Sequence, residues 1–357
     1  MRKKVAIAMS GGVDSATAAA WLVDQGHEVI GLTMQLWDHG EEFAPSSRTC
    51  CATQDLYDAR QVAQRLDIPF YIVNLEEKFR EAVVADFLSS YAAGQTPNPC
   101  VRCNQRLKFE TLLDKALSLG VDYLATGHYA IRKEDDNGHP LLYRGVDRFK
   151  DQSYFLFATT IAQLRNIDFP LGGLTKDATR NLANRFNLHL AQKRESQDVC
   201  FVPDGDYKAF FIREGSSAAT PGSIVDLTGK VLGEHQGLGN HTIGQRKGLG
   251  ISAPKPLYVV KIISEKNLLV VGPQSALYGD SLTIKDLNWL SRRKLDGPRE
   301  VQAKIRYASD PVPATISPAS DVSSAHLQFA TPQKSITPGQ ACVLYEGDRV
   351  LGGGWIC

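Results

Sequence analysis

Two short stretches carry residue types that can do chemistry. The first is SGGVDS, Ser10 to Ser15. Its paired glycines, Gly11 and Gly12, let a backbone turn sharply and bring N–H groups close to a ligand. A helix starting there points its positive end into the same space. Ser10 and Ser15 add hydroxyl donors. The chemistry is anion binding, phosphate above all. The pattern differs from GxxxxGK[ST], which requires a lysine. A tight turn with a capping Ser or Asp is the plainer alternative. The position after an apolar run, both serines and Asp14 favour phosphate. The second stretch is TPNPCVRCNQ, Thr96 to Gln105, with Cys100 and Cys103 spaced as CxxC. Thiolates are nucleophiles and metal ligands. The rival to sulfur chemistry is half of a zinc site. No second CxxC occurs in the chain, so four-cysteine zinc is not expected.

Regular elements must position these residues. KVAIAM reads as a buried strand, DSATAAAWLVDQG as a helix ending at glycine, and EVIGLTMQLW as a second strand. DLYDARQVAQRLD reads as a helix and PFYIVNL as a third strand. EKFREAVVADFLSSYAAG and RLKFETLLDKALSLG read as helices, with the cysteine-bearing stretch as a loop between them. VDYLATGHYA reads as another strand. Such alternation predicts a doubly wound parallel sheet, with ligands at the carboxyl ends of its strands. TKDATRNLANRFNL reads as a helix capped by Thr175 or Asp177. QKRESQDVCF follows it and carries Cys200. From about Ala209, β-rich runs such as GSIVDL, PLYVVKII, NLLVVG, VQAKIRY and ACVLYEG replace helices, as in small barrels or sandwiches. The expected domains are 1–208 (α/β), 209–280 (β-rich) and 281–357 (a β-barrel). SPASDVSSAH is expected to be an exposed loop.

Composition narrows the class. The chain has 357 residues, 43% hydrophobic and 22% charged, with formal net charge +1. That balance argues against coating nucleic acid by bulk charge and leaves room for a local basic groove. Met1-Arg2-Lys3-Lys4 resembles the start of a signal peptide, but the apolar run ends at once in SGGVDS, so no h-region follows. No stretch is long and apolar enough to span a bilayer. A cytoplasmic protein is expected. Of its seven cysteines, Cys342 and Cys357 read as small apolar residues in strands. In a reducing compartment the others are packed, catalytic or metal-bound rather than permanently bridged. The purpose of Cys50 and Cys51 is open.

SGGVDS resembles the PP-loop of the ATP pyrophosphatases, which split ATP into AMP and pyrophosphate. TPNPCVRCNQRLKF, ATGHYA, KDQSYFL and GEHQGLGNHTIGQRKGLG together resemble the bacterial tRNA-specific 2-thiouridylases. The likeness covers essentially the whole chain. It implies that the C2 oxygen of a wobble uridine is adenylated and then replaced by sulfur, in tRNAs for Lys, Glu and Gln. It implies ATP and Mg²⁺ as cofactors. ATP would be held by Ser10, Gly11, Gly12, Asp14 and Ser15, with Met34 at adenine and Gly127 nearby. Cys200 would accept sulfur as a persulfide from a donor protein, a cysteine desulfurase or a relay. Cys103 would release it onto the base, leaving a Cys103–Cys200 disulfide. Arg102, Arg106 and Lys108 could favour the thiolate.

The same resemblance assigns tRNA contacts to Asn98, Pro99, Cys100, His128, Lys150, Asp151, Gln152, Arg306, Tyr307 and Gln340. Taken singly, His128 is more often a core histidine, and each basic residue a solvated charge. HTIGQRKGLG offers Arg246 and Lys247 to phosphate, or is a structural turn. Many family members carry Asp where this chain has Cys100. With Cys103 and Cys200 it makes three soft ligands, which would suit an iron–sulfur cluster. A PP-loop small-molecule ligase and a non-catalytic metal-binding RNA module are the rival functions.

Overall fold

The computed structural model describes residues 2–37, 53–193, 199–202, 205–321 and 323–357. Cys50 and Cys51 lie outside the described residues. The chain forms two compact units: Met1–Val83 with Cys100–Gly205 and Asp348–Leu351, and Val84–Pro99 with Asp206–Gly347 and Gly352–Cys357.

The first unit is built on a parallel sheet in the order β3-β2-β1-β4-β7. Its strands are β1 (Lys4–Ala8), β2 (Glu28–Gln35), β3 (Phe70–Asn74), β4 (Tyr123–Thr126) and β7 (Ile167–Asp168). Val5, Ala6 and Ile7 are fully buried, as a central strand covered on both faces requires. Helix α1 (Val13–Asp24) packs against this sheet through Ala16, Ala18, Ala19, Ala20 and Leu22. Alanine keeps helix propensity high and lets the helix lie close. Gly26, at φ +80°, ends it. Helix α2 (Thr53–Arg65) covers the sheet through Ala59, Val62 and Ala63. The chain winds from β1 outward to β3 and then returns to the other side of β1. The gap between β1 and β4 is therefore the topological switch point, where ligands bind such sheets.

The expected strand VDYLATGHYA is broken. β4 ends at Thr126 and β5 (Ala130–Glu134) starts after Gly127–Tyr129, pairing with β6 (Pro140–Arg144). The expected cysteine-bearing loop is helical instead. Helix α5 (Pro99–Arg102) runs into a π-wound segment, Cys103–Leu112, and then α6 (Leu113–Ser118). The proline that suggested a loop is the first helical residue. Its fixed φ suits that position and its missing N–H costs nothing there.

The second unit has two β structures. A four-stranded sheet, β10-β11-β8-β9, is formed by β8 (Gly222–Val225), β9 (Val231–His235), β10 (Tyr258–Ile263) and β11 (Leu268–Gly272). Its core is Ile224, Val259, Leu269 and Val271. The strands β12 (Tyr278–Trp289), β13 (Arg299–Lys304), β14 (Val312–Pro318), β15 (Ala325–Lys334), β16 (Ala341–Glu346) and β17 (Arg349–Ile356) follow. They run β12-β15-β14-β13-β16-β17, and β12–β17 pairing closes the ring into a barrel. Closure removes the sheet edges. The expected fold class, an α/β domain followed by β-rich structure ending in a barrel, is what the chain adopts. Helix α4 (Ala85–Ala92) belongs to this unit, held by an aromatic cluster with α9 (Tyr207–Arg213). Phe87 stacks on Phe211 at 5.9 Å between ring centroids.

Candidate active site

The phosphate loop lies at the carboxyl end of β1. Gly11 has φ +68°, and a Cβ there would sit 2.3 Å from the Asp55 carbonyl oxygen. No other residue type fits both demands. Gly12 caps α1 without any side-chain hydrogen bond, which leaves first-turn N–H groups of α1 for a ligand. The Ser15 hydroxyl accepts from the Ser10 N–H (3.1 Å) and donates to the Gly12 carbonyl (3.1 Å). The Ser10 hydroxyl is 3.3 Å from it. The loop is thus pre-shaped by its own serines, and these residues fit a phosphate chain. Gly127 belongs with it, because a Cβ there would lie 2.7 Å from the Ser15 nitrogen. Its smallness lets the end of β4 approach the first turn of α1. Met34 is half-buried near the end of β2, opposite Val73.

Charge fixes the loop from two sides, through residues the sequence did not single out. Lys176 Nζ lies 2.8 and 2.9 Å from the two Asp14 carboxylate oxygens. The Tyr129 hydroxyl donates to the same carboxylate at 2.8 Å. Thr175 caps α8 (Lys176–Arg185), accepting from the Ala178 N–H, so Lys176 is the first residue of that helix. On the other side, Lys193 Nζ donates to the Gly11 carbonyl (2.9 Å), Asp55 (2.5 Å) and Asp58 (2.5 Å). Burial opposes charge on Asp58, but hydrogen bonds from Lys193 and Gln54 outweigh it and hold its carboxyl below the usual range. Burial also opposes charge on Lys193, and the two carboxylates overcome it and raise its pKa. The available signal was an acidic residue inside a phosphate loop, which calls for a nearby cation.

The thiols are held differently. Cys100 is exposed, and Cys103 and Cys200 are half-buried. Phe201, next to Cys200, packs edge-on against Phe79 at 5.5 Å, and Phe79 packs edge-on against Trp37 at 6.5 Å. Trp37 follows β2, so this aromatic chain moors Cys200 near the carboxyl end of the sheet. Helix α3 (Glu76–Phe79) carries Phe79 and also packs against the π-wound segment that begins at Cys103. Among the described residues, no three His, Cys, Asp or Glu groups gather where they could hold a metal ion. Cys100, Cys103 and Cys200 therefore do not fit a three-thiolate cluster. Arg102 donates to Gln105 (3.1 Å), and Arg106 pairs with Glu110 (3.5 Å).

His128 sits among Phe109 and Phe169, with Nδ1 2.7 Å from the Thr126 hydroxyl. Burial, helped by the charge of Lys108, pushes its pKa well down, so the ring is neutral near pH 7. Asp151 is buried and pairs with Arg144 at 2.9 Å; it also accepts from the Gly145 and Ser153 N–H groups. Its carboxylate is spent on shaping the loop. The Gln152 side-chain oxygen accepts from the Tyr129 N–H at 3.0 Å. Lys150 is half-buried; beside it Phe149 is 94% exposed. One Arg306 nitrogen donates to Ile243, Ser335 and Thr337 at 2.9–3.2 Å. Tyr307 is exposed, with Lys304 over its ring. Gln340 donates to the carbonyls of Thr96 and Pro97. Asn98 is half-buried and Pro99 buried. HTIGQRKGLG is an internally bonded turn with Arg246 and Lys247 exposed at its tip: Gln245 accepts from the Thr242 N–H and donates to the Lys247 carbonyl.

Residues 3–204 match a family model described as a tRNA methyl transferase HUP domain. Residues 209–273 match a tRNA methyl transferase PRC-barrel domain, and 279–356 an aminomethyltransferase beta-barrel domain. The tRNA-specific 2-thiouridylase MnmA of Magnetococcus marinus is 61% identical over 99% of this chain and 99% of its own length. Its namesake in Geotalea uraniireducens is 51% identical over 99% and 95%. That of Rickettsia massiliae is 51% identical over 99% and 96%.

Proposed function

The chain belongs to the family of tRNA-specific 2-thiouridylases, and from this we propose how its residues divide the reaction. It is an enzyme that thiolates tRNA at uridine C2, using ATP. The observation carrying the proposal is a phosphate loop at the β1/β4 switch point, in the same compact unit as Cys103 and Cys200. Thiolation needs both parts. Methyl transfer, the chemistry in two of the matched family descriptions, has no use for a pyrophosphate cradle.

The uridine C2 oxygen is a poor leaving group. It attacks the α-phosphate of ATP, pyrophosphate departs, and the oxygen then leaves as part of AMP. Loop amides and the start of α1 stabilise the departing pyrophosphate. Lys176 and Lys193 act one step back: one orients Asp14, the other fixes the Gly11 carbonyl. Mg²⁺ takes oxygen ligands and would be bound through the phosphates. Cys200 carries the sulfur as a persulfide delivered by a donor protein. Its terminal sulfur attacks C2 and AMP leaves. The Cys103 thiolate then attacks the inner sulfur, the S–S bond breaks towards the base, and a Cys103–Cys200 disulfide remains. A thiol reductant restores both cysteines with two electrons.

tRNAs for Lys, Glu and Gln are the proposed substrates, bound at their wobble uridine. Phe149 and Tyr307 each offer an exposed ring on which a base can stack, with Lys150 next to Phe149 for phosphate. ATP–pyrophosphate exchange tests the reading. A thiolase exchanges only with tRNA present. Exchange without tRNA would indicate a small-molecule ligase, and no exchange a binding module. Either result sinks the proposal.

A further inference from the structure

The turn that leaves β6 is tied to the phosphate loop at both of its ends. At its start, one Asp147 carboxylate oxygen accepts from the Phe149 N–H (3.1 Å) and the Lys150 N–H (3.3 Å). An aspartate often shapes a turn in this way, by bonding the backbone two residues on. Its second oxygen reaches beyond the turn. It accepts from the Lys176 N–H at 2.9 Å, 29 residues along the chain. Lys176 is the first residue of α8, so that N–H has no acceptor within the helix. Thr175 takes the Ala178 N–H and leaves this one to Asp147. A negative charge there also suits the positive end of the helix. The Lys176 side chain then runs to Asp14, with Nζ 2.8 and 2.9 Å from the two carboxylate oxygens. At the far end of the turn, the Gln152 N–H donates to the Tyr129 carbonyl (2.9 Å), and the Gln152 side-chain oxygen accepts from the Tyr129 N–H (3.0 Å). The Tyr129 hydroxyl donates to the same Asp14 carboxylate. Between the two ends, the Val146 N–H donates to the Gly172 carbonyl at 3.0 Å, which docks the turn on the segment before α8.

We propose that Asp147 is a positioning residue for adenylation: it fixes the start of α8 so that the Lys176 ammonium meets Asp14, and the same carboxylate shapes the turn that presents Phe149 and Lys150. It acts through Lys176, which is only 7% exposed and lies in a site where small displacements are costly. A cap for the turn alone would need one carboxylate oxygen. The bond to Lys176 uses the other, and places the first residue of α8 from outside its own helix. This rests on the thiolase reading above.

Asp147→Asn keeps an acceptor for the turn and sets an amide N–H against the Lys176 N–H. Asp147→Ala, a second variant, removes both acceptors. Each is compared with the parent in three measurements: ATP–pyrophosphate exchange at saturating ATP and tRNA, tRNA affinity by filter binding, and acylation of Lys176 by acetic anhydride without ATP or tRNA, with Lys193 as internal reference. Asp147→Asn should slow exchange by roughly tenfold, as loss of one charge-assisted hydrogen bond implies, with tRNA affinity within about twofold of the parent. Lys176 acylation should rise by about threefold, because the ammonium is held less firmly in its buried pair. Asp147→Ala should show the same loss of exchange and the same gain in acylation. On a Lys176→Met background, Asp147→Asn should add less than about twofold to the loss of exchange, since both changes act on one ammonium. Parental exchange and parental Lys176 acylation in Asp147→Asn would reduce Asp147 to a cap of its own turn and overturn the proposal. So would losses that multiply in the double variant. If the parent exchanges without tRNA, or not at all, the thiolase reading falls, and the Lys176 acylation ratio alone still decides the positioning role.

Discussion

The phosphate loop and the thiol-bearing segment are anchored by opposite means. The loop is braced by ions: Lys176 on Asp14, and Lys193 on Asp55, Asp58 and the Gly11 carbonyl. The residue beside Cys200 is braced by neutral groups, the Trp37–Phe79–Phe201 rings. The first must present fixed dipoles to a multiply charged ligand, and a rigid charged frame keeps reorganisation small. On the proposed mechanism, the second lets one cysteine meet a donor and then the other cysteine. Ring packing of this kind holds the backbone through apolar contact.

The largest effect that can break this contrast is at the sulfurs. Cys200→Ser or Cys103→Ser should abolish thiolation while tRNA-dependent ATP–pyrophosphate exchange continues. Loss of exchange in both would mean the two regions are not separable. Cys100→Ser should keep substantial thiolation without iron, with a Cys103–Cys200 disulfide visible by mass spectrometry after one turnover. An iron-dependent parent that Cys100→Ser inactivates would contradict the misfit of the three thiols to a cluster.

Next comes the charged frame. Lys176→Met leaves Asp14 without its ammonium, costing on the order of 2 kcal/mol of stability, between the values for exposed and buried pairs. Adenylation should fall about a hundredfold, because the displaced carboxylate disturbs the loop. tRNA affinity should stay near the parental value. Parental adenylation in a folded Lys176→Met would show that the ion pair is ornamental.

Acid should separate the regions. Asp58 has a lowered pKa, so its contribution is complete above the ordinary carboxylate value near 3.8 and is lost only as pH falls through its lowered value. His241, in the second unit, is the reverse in pH range. Burial, with the neighbouring His235 charge, pushes its pKa from 6.5 to about 4. The unfolded chain therefore binds the proton first, and stability present above pH 6.5 is lost as pH falls towards 4. At pH 5 the loss is about 2 kcal/mol. Hydrogen exchange at pH 5 against pH 7, corrected for intrinsic rates, should show loosening around β8–β11 before the phosphate loop. The opposite order would contradict the assignment of charge to the loop's frame.

The smallest effect is at the surface. Phe149→Ala should weaken tRNA binding by about 1 kcal/mol, the low end for one stacked base. Phe149→Trp should restore affinity and show fluorescence quenching on binding. Unquenched emission from tRNA-bound protein would remove Phe149 from the interface.

Much of this was legible in the chain itself. Alternation of apolar runs with helical patterns sufficed for the α/β unit, because buried parallel strands leave a periodic signature that short-range rules detect. SGGVDS was readable because its chemistry lies in the backbone, and glycine spacing is what shapes a backbone. The cysteine-bearing stretch misled for a local reason. Asn-Pro and Pro-Cys look like loop punctuation, yet Pro99 opens a helix. Lys176 and Lys193 could not be read at all, and Gln340 was read only as a tRNA contact, not for its bonds to Thr96 and Pro97. Lys176 and Asp14 are 162 residues apart, and Gln340 lies 244 residues from Thr96. A lone lysine or glutamine carries no periodicity and no motif. The sequence by itself determined most of the elements and the glycine turn after β1, since those follow from local propensity. Only the tertiary structure decided which cation meets which carboxylate, which amide bonds Thr96 and Pro97, and that three thiols do not converge on one ion, because those depend on distances set by packing between remote parts of the chain.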